Sequence, residues 1–313
     1  MDLDEVDLAL IELLRRDGRA SFESLGHAVG LSRTTARARV QRLLDSGTLR
    51  VVANVHPEVD GIHACASISV DVRGVPARSA AVAISAMPEA TFVSLVAGRH
   101  AISVELRASS VSALESALSA IRAISGVQVV DSVQYTDFVK EPYIPPQGPG
   151  NLEQYDAVDR QLLDLLRLDG RMPYADLAER VGLSPAATRT RVLRLLEAGA
   201  VSISGMVNPT TFGMTHMCGF QVWLSVEGDL PLGEIARMPS VDFLARTLGS
   251  SDAVGTVLTR SRAEVIDTLD AIRALPGVGD VESWAHLELV KEDYDVRPIH
   301  DLPSRFGASG PVG

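Results

Sequence analysis

Apolar residues recur at helical spacing in three consecutive stretches at the start of the chain. These positions are Val6, Leu10, Leu13 and Leu14, then Phe22, Leu25 and Val29, then Ala36, Val40, Leu43 and Leu44. Asp17-Gly18, Gly30 and Gly47 follow the stretches, and glycine is common just past a helix end. Ser32 precedes the third stretch, where serine is a favoured N-cap. The pattern predicts three short helices, the last two joined by a turn that contains glycine, which is a helix-turn-helix arrangement.

From residue 63 onward the pattern changes to alternation and short apolar runs. The predicted elements are a strand at 63–72, a helix at 76–87, strands at 91–97 and 101–106, a helix at 111–124 and a strand at 127–138. The two middle strands flank Gly98-Arg99-His100, which is typical of a hairpin turn. The order β-α-β-β-α-β is the ferredoxin-like pattern. Helices cover one face of such a sheet, so we expect its other face to pair with a second copy.

The whole pattern then occurs a second time. Residues 3–61 align without a gap with residues 155–213 at an offset of 152, so that Asp7 matches Asp159. After one deletion the offset becomes 151, and Gly98 matches Gly249. A repeat of this length indicates a duplicated two-domain unit. The second copy places serine and proline, Ser184-Pro185, at the start of its third helix, as expected for an N-cap and first helical position.

The predicted fold class is α+β, with two winged or helix-turn-helix domains alternating with two ferredoxin-like domains. The helix-turn-helix domains are predicted at 1–56 and 153–208, and the ferredoxin-like domains at 61–141 and 213–293. Between the copies, residues 142–152 begin with four prolines and two glycines in ten residues, which is typical of an extended, semi-rigid linker. The tail at 297–313 is rich in proline and glycine and is predicted to be disordered.

Composition limits the classes of protein that fit. The 313 residues carry 29 Lys and Arg against 40 Asp and Glu, for a formal net charge of −11. That balance argues against a chain coated in basic surface for nucleic acid or an anionic membrane. Two cysteines exclude a disulfide framework and a cysteine-based zinc cluster. No apolar run reaches the length of a membrane span, and the N-terminus is acidic, so we expect a soluble cytoplasmic protein.

The distribution of charge changes this picture. Residues 31–50 hold five arginines against Asp45 alone, and residues 183–202 hold three arginines against Glu197. Positive charge is therefore concentrated on the third predicted helix of each copy, the one that enters the major groove in helix-turn-helix proteins. Hydroxyl and amide groups on that helix can read base edges, and arginine can reach phosphates or guanine. The alternative is a solvated basic helix face with no nucleic-acid partner.

The candidate DNA-binding residues lie at the start and on the outward faces of these two helices. In the first copy they are Ser32, Arg33, Thr34, Thr35, Arg37, Ala38, Arg39, Gln41 and Arg42. In the second copy they are Ser184, Ala186, Ala187, Arg189, Thr190, Arg191 and Arg194. The second set is poorer in hydrogen-bonding groups. We therefore expect the first helix to contribute more of the sequence readout.

The motif of the first copy resembles the Lrp/AsnC family of bacterial transcription regulators. Its elements are Leu3-Asp4-x-x-Asp7, Leu13-Leu14-x-x-Asp17-Gly18-Arg19, Leu25, Gly30-Leu31-Ser32, Arg39-Val40-x-x-Leu43 and Gly47. The following α+β unit resembles that family's ligand-sensing domain, called RAM. The resemblance implies a DNA-binding domain and a domain that self-associates and senses a small molecule, usually an amino acid. The expected partners are double-stranded DNA and this effector, with no membrane, cofactor, metal or catalytic residue.

In that family the effector loop follows the second strand of the RAM domain and has the pattern Gly-x-x-Asp. The second copy retains it, and the resemblance implies effector-binding residues Thr247, Gly249, Ser250, Ser251 and Asp252. The first copy has Gly98, Arg99 and His100 in that place, without the aspartate. The plain alternative is a hairpin turn in both copies, with His100 as an exposed turn histidine. Either loop is a candidate, and the second is favoured.

Two other functions stay open. Siroheme decarboxylases resemble this family, contain a similar helix-turn-helix unit and can be fused in tandem, but they are enzymes that act on a tetrapyrrole. The serine caps and flanking arginines favour the regulator, because an enzyme has no need of them. A related protein that senses a ligand without binding DNA is the third possibility. The effector, the target genes, the direction of regulation and the pairing of RAM domains within or between chains are not determined by these patterns.

Other candidate residues carry weaker signals. Cys65 and Cys218 lie in predicted strands and are expected to be small buried residues. Trp223 and Trp284 also fall on strands, where packing is the expected role. The histidines show no metal-ligand spacing, and no nucleophile-elbow or phosphate-binding motif occurs.

Overall fold

The computed structural model describes residues 3–141, 144–145, 149–207, 213–225 and 230–293. The chain forms two units, each assembled from both repeats. Met1–Val59 and Tyr143–Thr211 make up the first, and Asp60–Pro142 and Phe212–Gly313 make up the second. The two helix-turn-helix domains therefore form one unit and the two ferredoxin-like domains form the other, although the two kinds of domain alternate along the sequence. The predicted disordered tail lies outside the described residues, as do positions 142, 143 and 146–148 of the predicted linker.

The first repeat contains five helices and five strands. They are α1 Glu5–Arg16, α2 Phe22–Ala28, α3 Arg33–Asp45, β1 Leu49–Val55, β2 Ala64–Val72, α4 Ala77–Ser85, β3 Ala90–Ala97, β4 Ile102–Ala108, α5 Val111–Ala123 and β5 Val127–Lys140. A short 3-10 helix at Pro57–Asp60 follows β1. The three predicted N-terminal helices and the β-α-β-β-α-β order are confirmed.

The second repeat has the same order of elements. They are α6 Ala157–Leu168, α7 Tyr174–Val181, α8 Pro185–Glu197, β6 Val201–Val207, β7 His216–Leu224, α9 Leu230–Arg237, β8 Val241–Leu248, β9 Ala253–Thr259, α10 Arg262–Arg273 and β10 Val278–Glu292. A 3-10 helix at Leu152–Gln154 precedes α6. The predicted fold class is confirmed for both copies. Within the described ranges, no helix is long and apolar enough to cross a membrane.

Strands β1 and β6 were not predicted, and they join the two helix-turn-helix domains. They pair antiparallel along their full length, with Val52 opposite Ser204 at the centre. Asn54 Nδ2 donates to Ser204 Oγ across the pair at 2.7 Å. The sequence of β1 (LRVVANV) lacks a clean alternation, because all but one of its residues are buried. The antiparallel ladder places the two domains in equivalent positions about its centre.

A pair of reciprocal arginines reinforces this junction. Arg19 Nε donates to Gly170 O and Arg19 Nη2 to Met172 O, each at 2.7 Å. Arg171 makes the matching bonds to Gly18 O at 2.7 Å and Ala20 O at 3.0 Å. Each guanidinium also lies 4.7 Å from the centre of an aromatic ring, Arg19 on Tyr174 and Arg171 on Phe22. Each repeat thus supplies the partner for carbonyl groups in the other's loop.

The junction also requires close backbone approach. Gly18 N donates to Ile203 O at 2.8 Å, and Gly170 N donates to Val51 O at 2.8 Å. A Cβ at Gly18 would lie 2.9 Å from Ile203 O, closer than a Cβ normally approaches an oxygen. The glycine of each Asp-Gly-Arg segment is therefore needed for contact between the repeats as well as for the helix end.

The second unit is a closed eight-stranded barrel in the order β10-β3-β4-β2-β5-β8-β9-β7. Strand β5 pairs with β8, and β10 pairs with β3, so both joints are between repeats. Helices α4 and α5 cover one repeat's sheet, and apolar residues of β2, β3 and β4 pack beneath them. The faces that the helices leave uncovered meet inside the barrel, where Val96, Ala245, Val254 and Trp284 form a shared cluster. The two RAM-like domains pair within the chain.

We expect Arg171→Ala to lower the free energy of unfolding by about 2 kcal/mol, since two charge-assisted hydrogen bonds between repeats are lost. Urea denaturation of the full chain measures this effect. Arg160→Ala is the matched control, because Arg160 is an exposed arginine on α6. Its substitution should change the free energy of unfolding by no more than about 0.5 kcal/mol. Equal stability of Arg171→Ala and the wild type would contradict the role given to the junction.

Candidate nucleic-acid interface and sensor loops

The third helix of each helix-turn-helix domain begins at a serine cap, as predicted. Ser32 Oγ accepts from Thr35 N at 3.1 Å, and Ser184 Oγ accepts from Ala187 N at 3.3 Å. Pro185 occupies the first helical position of α8. The caps fix the N-terminal turn, and residues 33–38 and 185–190 are exposed except for one inward position in each helix, Ala36 and Thr188.

A buried carboxylate fastens the third helix to the first in both copies. Asp7, which is 1% exposed, accepts from Arg39 Nη1 at 3.0 Å and from Arg42 Nη2 at 2.5 Å. Asp4, the N-cap of α1, also accepts from Arg39, at 2.6 Å. The second copy repeats this arrangement with the same spacing. Asp159 accepts from Arg191 and Arg194, and Asp156 accepts from Arg191.

These ion pairs change the role of four predicted DNA-binding residues. Arg39, Arg42, Arg191 and Arg194 hold α3 against α1 and α8 against α6, so part of their charge is neutralised inside the domain. A buried carboxylate is costly unless it is paired and hydrogen-bonded, and two arginines meet that requirement here. The arginine cluster seen in the sequence is therefore partly structural.

The exposed N-cap carboxylates respond to the same arginines. The hydrogen bond from Arg39 lowers the pKa of Asp4, and the Asp159 backbone N–H followed by Arg191 lowers the pKa of Asp156. The carboxylates in turn raise the pKa of Arg39 and Arg191. The pKa of each carboxyl is lower in the folded protein than in the unfolded chain. Each carboxylate therefore stabilises the fold fully at pH values above the unfolded-state pKa, and this stabilisation is lost as the pH falls through the folded-state pKa.

The remaining predicted groups divide into bonded and unbonded sets. Thr35 bonds to Ser32 Oγ, Gln41 donates to Asp45 at 2.8 Å, and Thr190 donates to Ala186 O. Ala38 and Ala187 are exposed and apolar. Of the predicted polar side chains on α3 and α8, those that are exposed and have no hydrogen bond or ion pair within the described residues are Arg33, Thr34, Arg37 and Arg189. These four are the groups on the two helices that are available to a partner.

The second sensor loop is held by its own side chains. Thr247 Oγ1 donates to Ser251 O at 2.6 Å, and Leu224 N donates to Asp252 Oδ2 at 2.7 Å. Trp223 Nε1 donates to Ser250 O, and Ser250 Oγ donates to Asp131 of β5. Gly249 has a φ of +149° and lies against Val133. The aspartate of the Gly-x-x-Asp pattern thus accepts a hydrogen bond from the backbone of β7.

The first sensor loop differs from our expectation for His100. The plain alternative, an exposed turn histidine, is wrong, since His100 is 6% exposed. Its ring centre lies 5.0 Å from that of Trp284, which is also buried. Gly98 packs on Trp284, where a Cβ would lie 2.8 Å from the tryptophan Cβ. Arg99 forms an ion pair with Glu282 at 3.5 Å. A bulky residue from the other repeat therefore covers the histidine, and no local pattern reveals that.

Sequence reasoning also missed a polar cluster on the barrel-facing side of β4. Arg107 pairs with Glu105 at 2.7 Å and with Glu141 at 3.8 Å, and Tyr135 donates to Glu105 at 3.3 Å. Burial raises the pKa of Tyr135 well above its usual value. The sequence pattern that could have indicated this cluster is the alternation of β4, in which Glu105 and Arg107 fall between apolar residues. In a closed barrel both faces of that strand are buried.

The cysteines are buried, as predicted. Burial raises the pKa of the Cys65 thiol to about 12, and it raises the pKa of Cys218. Both thiols therefore stay protonated at neutral pH. In the described part of the chain, no cluster of three or more His, Cys, Asp or Glu is placed to hold a metal ion.

The helix-turn-helix part of each repeat matches a known domain family. A sequence model of the AsnC-type helix-turn-helix domain matches residues 3–44 and 156–196. HTH-type transcriptional regulator FL11 of Pyrococcus abyssi is 30% identical over 139 residues, which cover 44% of this chain and 92% of that protein. The chain belongs to the Lrp/AsnC family of transcription regulators. A further HTH-type regulator of the same organism, itself uncharacterized, is 28% identical over 145 residues, or 46% of this chain and 92% of its own.

A solved structure matches both repeats of this Lrp/AsnC chain together. Siroheme decarboxylase NirDL has a TM-score of 0.64 and covers 92% of this chain and 93% of its own. A second structure of NirDL, in complex with an iron-uroporphyrin III analogue, has a TM-score of 0.65. Sequence identity is 13% in both cases, so this likeness establishes the fold and not the activity.

We expect Asp7→Asn to lower the free energy of unfolding by about 2 kcal/mol, because Arg39 and Arg42 lose a buried charged partner. The figure is below that for a fully buried pair because both arginines are partly exposed. Asp45→Asn is the control, since Asp45 is an exposed carboxylate on α3, and its effect should be within about 0.5 kcal/mol. Equal urea midpoints for Asp7→Asn and Asp45→Asn would show that the buried ion pairs do not fix α3.

Proposed function

We propose that this Lrp/AsnC protein binds specific sites on double-stranded DNA through α3 and α8, and that a small molecule of the amino-acid class modulates the binding. The observation that supports it most is the exposed, unpaired set Arg33, Thr34, Arg37 and Arg189 on two capped helices. Membership of a family of transcription regulators agrees with it.

The N-terminal half of each helix is the part suited to the major groove. Arg33 and Arg37 lie one turn apart, so they project from one side of α3, with Thr34 beside them. Arginine can bind guanine or phosphate through two parallel bonds, and threonine can bond to either kind of base. Farther along α3, Arg39 and Arg42 orient the helix through Asp7 rather than supplying free charge.

The junction between the repeats supplies two readers in one chain. Dimeric helix-turn-helix proteins read two half-sites about one helical turn, roughly 34 Å, apart. Here the two domains belong to one polypeptide, and β1, β6 and the reciprocal arginines hold them together by hydrogen bonds. The equivalents of Arg33, Thr34 and Thr35 in α8 are Pro185, Ala186 and Ala187. We infer an imperfectly palindromic site in which the half read by α3 is the more specific.

Pairing within the chain also affects assembly. Two linked domains meet at an effective concentration set by the linker, so pairing does not depend on the amount of protein in the cell. The two RAM-like domains also pair within one chain when they form the barrel. We therefore propose that one chain is the counterpart of a family dimer, and that association of whole chains, if it occurs, uses surfaces outside these joints.

We expect Arg37→Ala to weaken DNA binding by about tenfold and to weaken it more than Arg189→Ala, because α3 carries the richer set of contacts. The measurement is fluorescence anisotropy on sites selected from fragmented genomic DNA, over a range of salt. Losing one phosphate contact should reduce the slope of the logarithm of affinity against the logarithm of salt concentration by about 1. Arg122→Ala, an exposed arginine on α5, is the control. Unchanged affinity in both Arg37→Ala and Arg189→Ala would reject this interface, and equal losses would reject the inequality of the helices.

A second candidate function is that of a siroheme-decarboxylase-like enzyme. The observation in its favour is the match of NirDL to both repeats over 92% of this chain. That structure was also solved with an iron-uroporphyrin III analogue, which is a tetrapyrrole. The exposed arginines favour the regulator, because they lie in the first turns of the capped helices that enter the major groove in helix-turn-helix proteins.

Absorbance spectroscopy separates the two functions. We expect purified protein mixed with siroheme and passed through a desalting column to retain no tetrapyrrole absorbance band, because the regulator does not bind siroheme. Free siroheme and bovine serum albumin with siroheme are the reference samples. A retained, shifted band at one equivalent per chain, together with loss of carboxylate groups from the product, would replace the regulator with the enzyme.

A further inference from the structure

Three buried side-chain nitrogens around the first sensor loop have no partner among the residues that the structure describes. They are His100 Nε2, Trp284 Nε1 and His286 Nδ1. His100 and Trp284 are 6% and 4% exposed, and their rings are in contact. Trp284 and His286 are two residues apart in β10, so they lie on the same face of the strand. The His286 ring also contacts the Phe92 ring edge to face. Trp284 Nε1 lies against Gly219 of β7, whereas His286 and His100 are near enough for their charges to interact. Buried polar groups of native proteins are normally hydrogen-bonded, so the unpartnered nitrogens of these two neighbouring histidines point to a ligand.

The corresponding place in the second repeat is filled by the protein itself. Residues 151 positions apart are equivalent here, so Val133 corresponds to Trp284 and Tyr135 to His286. Val133 carries no polar group, and the Tyr135 hydroxyl donates to Glu105. Glu105 corresponds to Thr256, so His286 has no such carboxylate opposite it. Ser251 Oγ, the counterpart of His100, is the one equivalent atom without a partner in the described residues.

The side-chain bonds that hold the second loop cannot form in the first. Thr247 and Asp252, which bond to Ser251 O and Leu224 N, correspond to Val96 and Ala101. Trp223, whose indole donates to Ser250 O, corresponds to Asp71. The second loop is therefore closed by internal hydrogen bonds, whereas the first lacks all three.

We propose that the first sensor loop, which lacks the Gly-x-x-Asp pattern, is the small-molecule site of this chain, and that His100 and His286, beside the Trp284 ring, bind the carboxylate end of an amino-acid-like zwitterion. In the second loop, Asp252 has a structural role. The regulatory meaning of this site rests on the proposed function, but ligand binding itself does not.

The charges around the loop fit such a zwitterion. The charged groups near enough to affect the pKa of His100 are Glu282 on β10, Asp71 on β2, Asp131 on β5 and Arg99 in the loop, and three of these four are acidic. They are suited to an ammonium group. Burial lowers the pKa of His100 and brings that of His286 to about 4, so both rings are neutral at pH 7. A neutral imidazole can donate one hydrogen bond to a carboxylate oxygen.

Tryptophan fluorescence tests the proposal directly. The chain has two tryptophans, and Trp223→Phe leaves Trp284 as the single reporter. Each standard L-amino acid is titrated in turn into this full-length variant. We expect at least one to give a saturable change in Trp284 emission, and the corresponding amine and carboxylic acid, each lacking one charged group, to bind at least about tenfold more weakly.

Matched variants of the two loops identify the site. In the Trp223→Phe background, His100→Ala and His286→Ala should each weaken binding by at least about tenfold, and His100→Gln should restore part of it because the amide can donate and accept. Ser251→Ala and Asp252→Asn, the second-loop controls, should bind within about twofold of the parent. Thermal melts of every variant identify any that fail to fold, and the glutamine variant then replaces the alanine one.

Several results would overturn this assignment. One is the lack of a saturable fluorescence response to any amino acid. Another is an affinity for the amino acid that is the same in the parent, in His100→Gln and in His286→Ala. A third is loss of binding in Asp252→Asn while the histidine variants still bind. DNA binding of the same samples, with and without the amino acid, is measured separately. DNA binding without amino-acid binding rejects this site and leaves the proposed DNA-binding activity standing. Amino-acid binding without DNA binding supports the site and rejects the regulator.

Discussion

The fold depends on antiparallel pairing of each domain with its own counterpart in the other repeat. Strands β1 and β6 provide that pairing in one unit, and the β5–β8 and β10–β3 joints provide it in the other. A strand pair satisfies backbone groups that an isolated edge would leave open. In the helix-turn-helix unit, Arg19 and Arg171 add charged hydrogen bonds to the other repeat's carbonyls, which specifies the partner as well as the geometry. A duplicated chain can therefore build within itself what a pair of single-unit chains builds between molecules.

Within each helix-turn-helix domain, one buried carboxylate determines how much positive charge is available. Asp7 and Asp159 would be costly to bury alone, so each recruits two arginines from the third helix. The charge left for DNA is small and lies in the first turns of the helices. A protein of net charge −11 then has limited nonspecific attraction to DNA, and its specificity depends on a few placed groups.

Symmetry of the backbone has not kept the chemistry symmetric. Arg33 corresponds to Pro185 on the recognition helices, and His100 and His286 correspond to Ser251 and Tyr135 in the barrel. Because both copies are in one polypeptide, each position can change without altering its counterpart, which a homodimer does not allow. This freedom permits the two copies to divide the proposed tasks: α3 carries more exposed, unpaired polar side chains than α8, and the first sensor loop holds unpaired buried nitrogens.

The sequence by itself determined the duplicated order of elements, the serine caps and the burial of the cysteines, because these follow from periodicity and from bonds between near neighbours. Strands β1 and β6 were missed, since each pairs with a strand about 150 positions away and β1 is buried without a clean alternation. Tertiary structure alone decided which arginines are free, because the carboxylates that pair with Arg39 and Arg42 lie more than 30 residues earlier in the chain. It also decided that His100 is buried, since the covering side chain, Trp284, comes from the other repeat. Local spacing cannot encode a contact whose distance is set by the pairing of two copies.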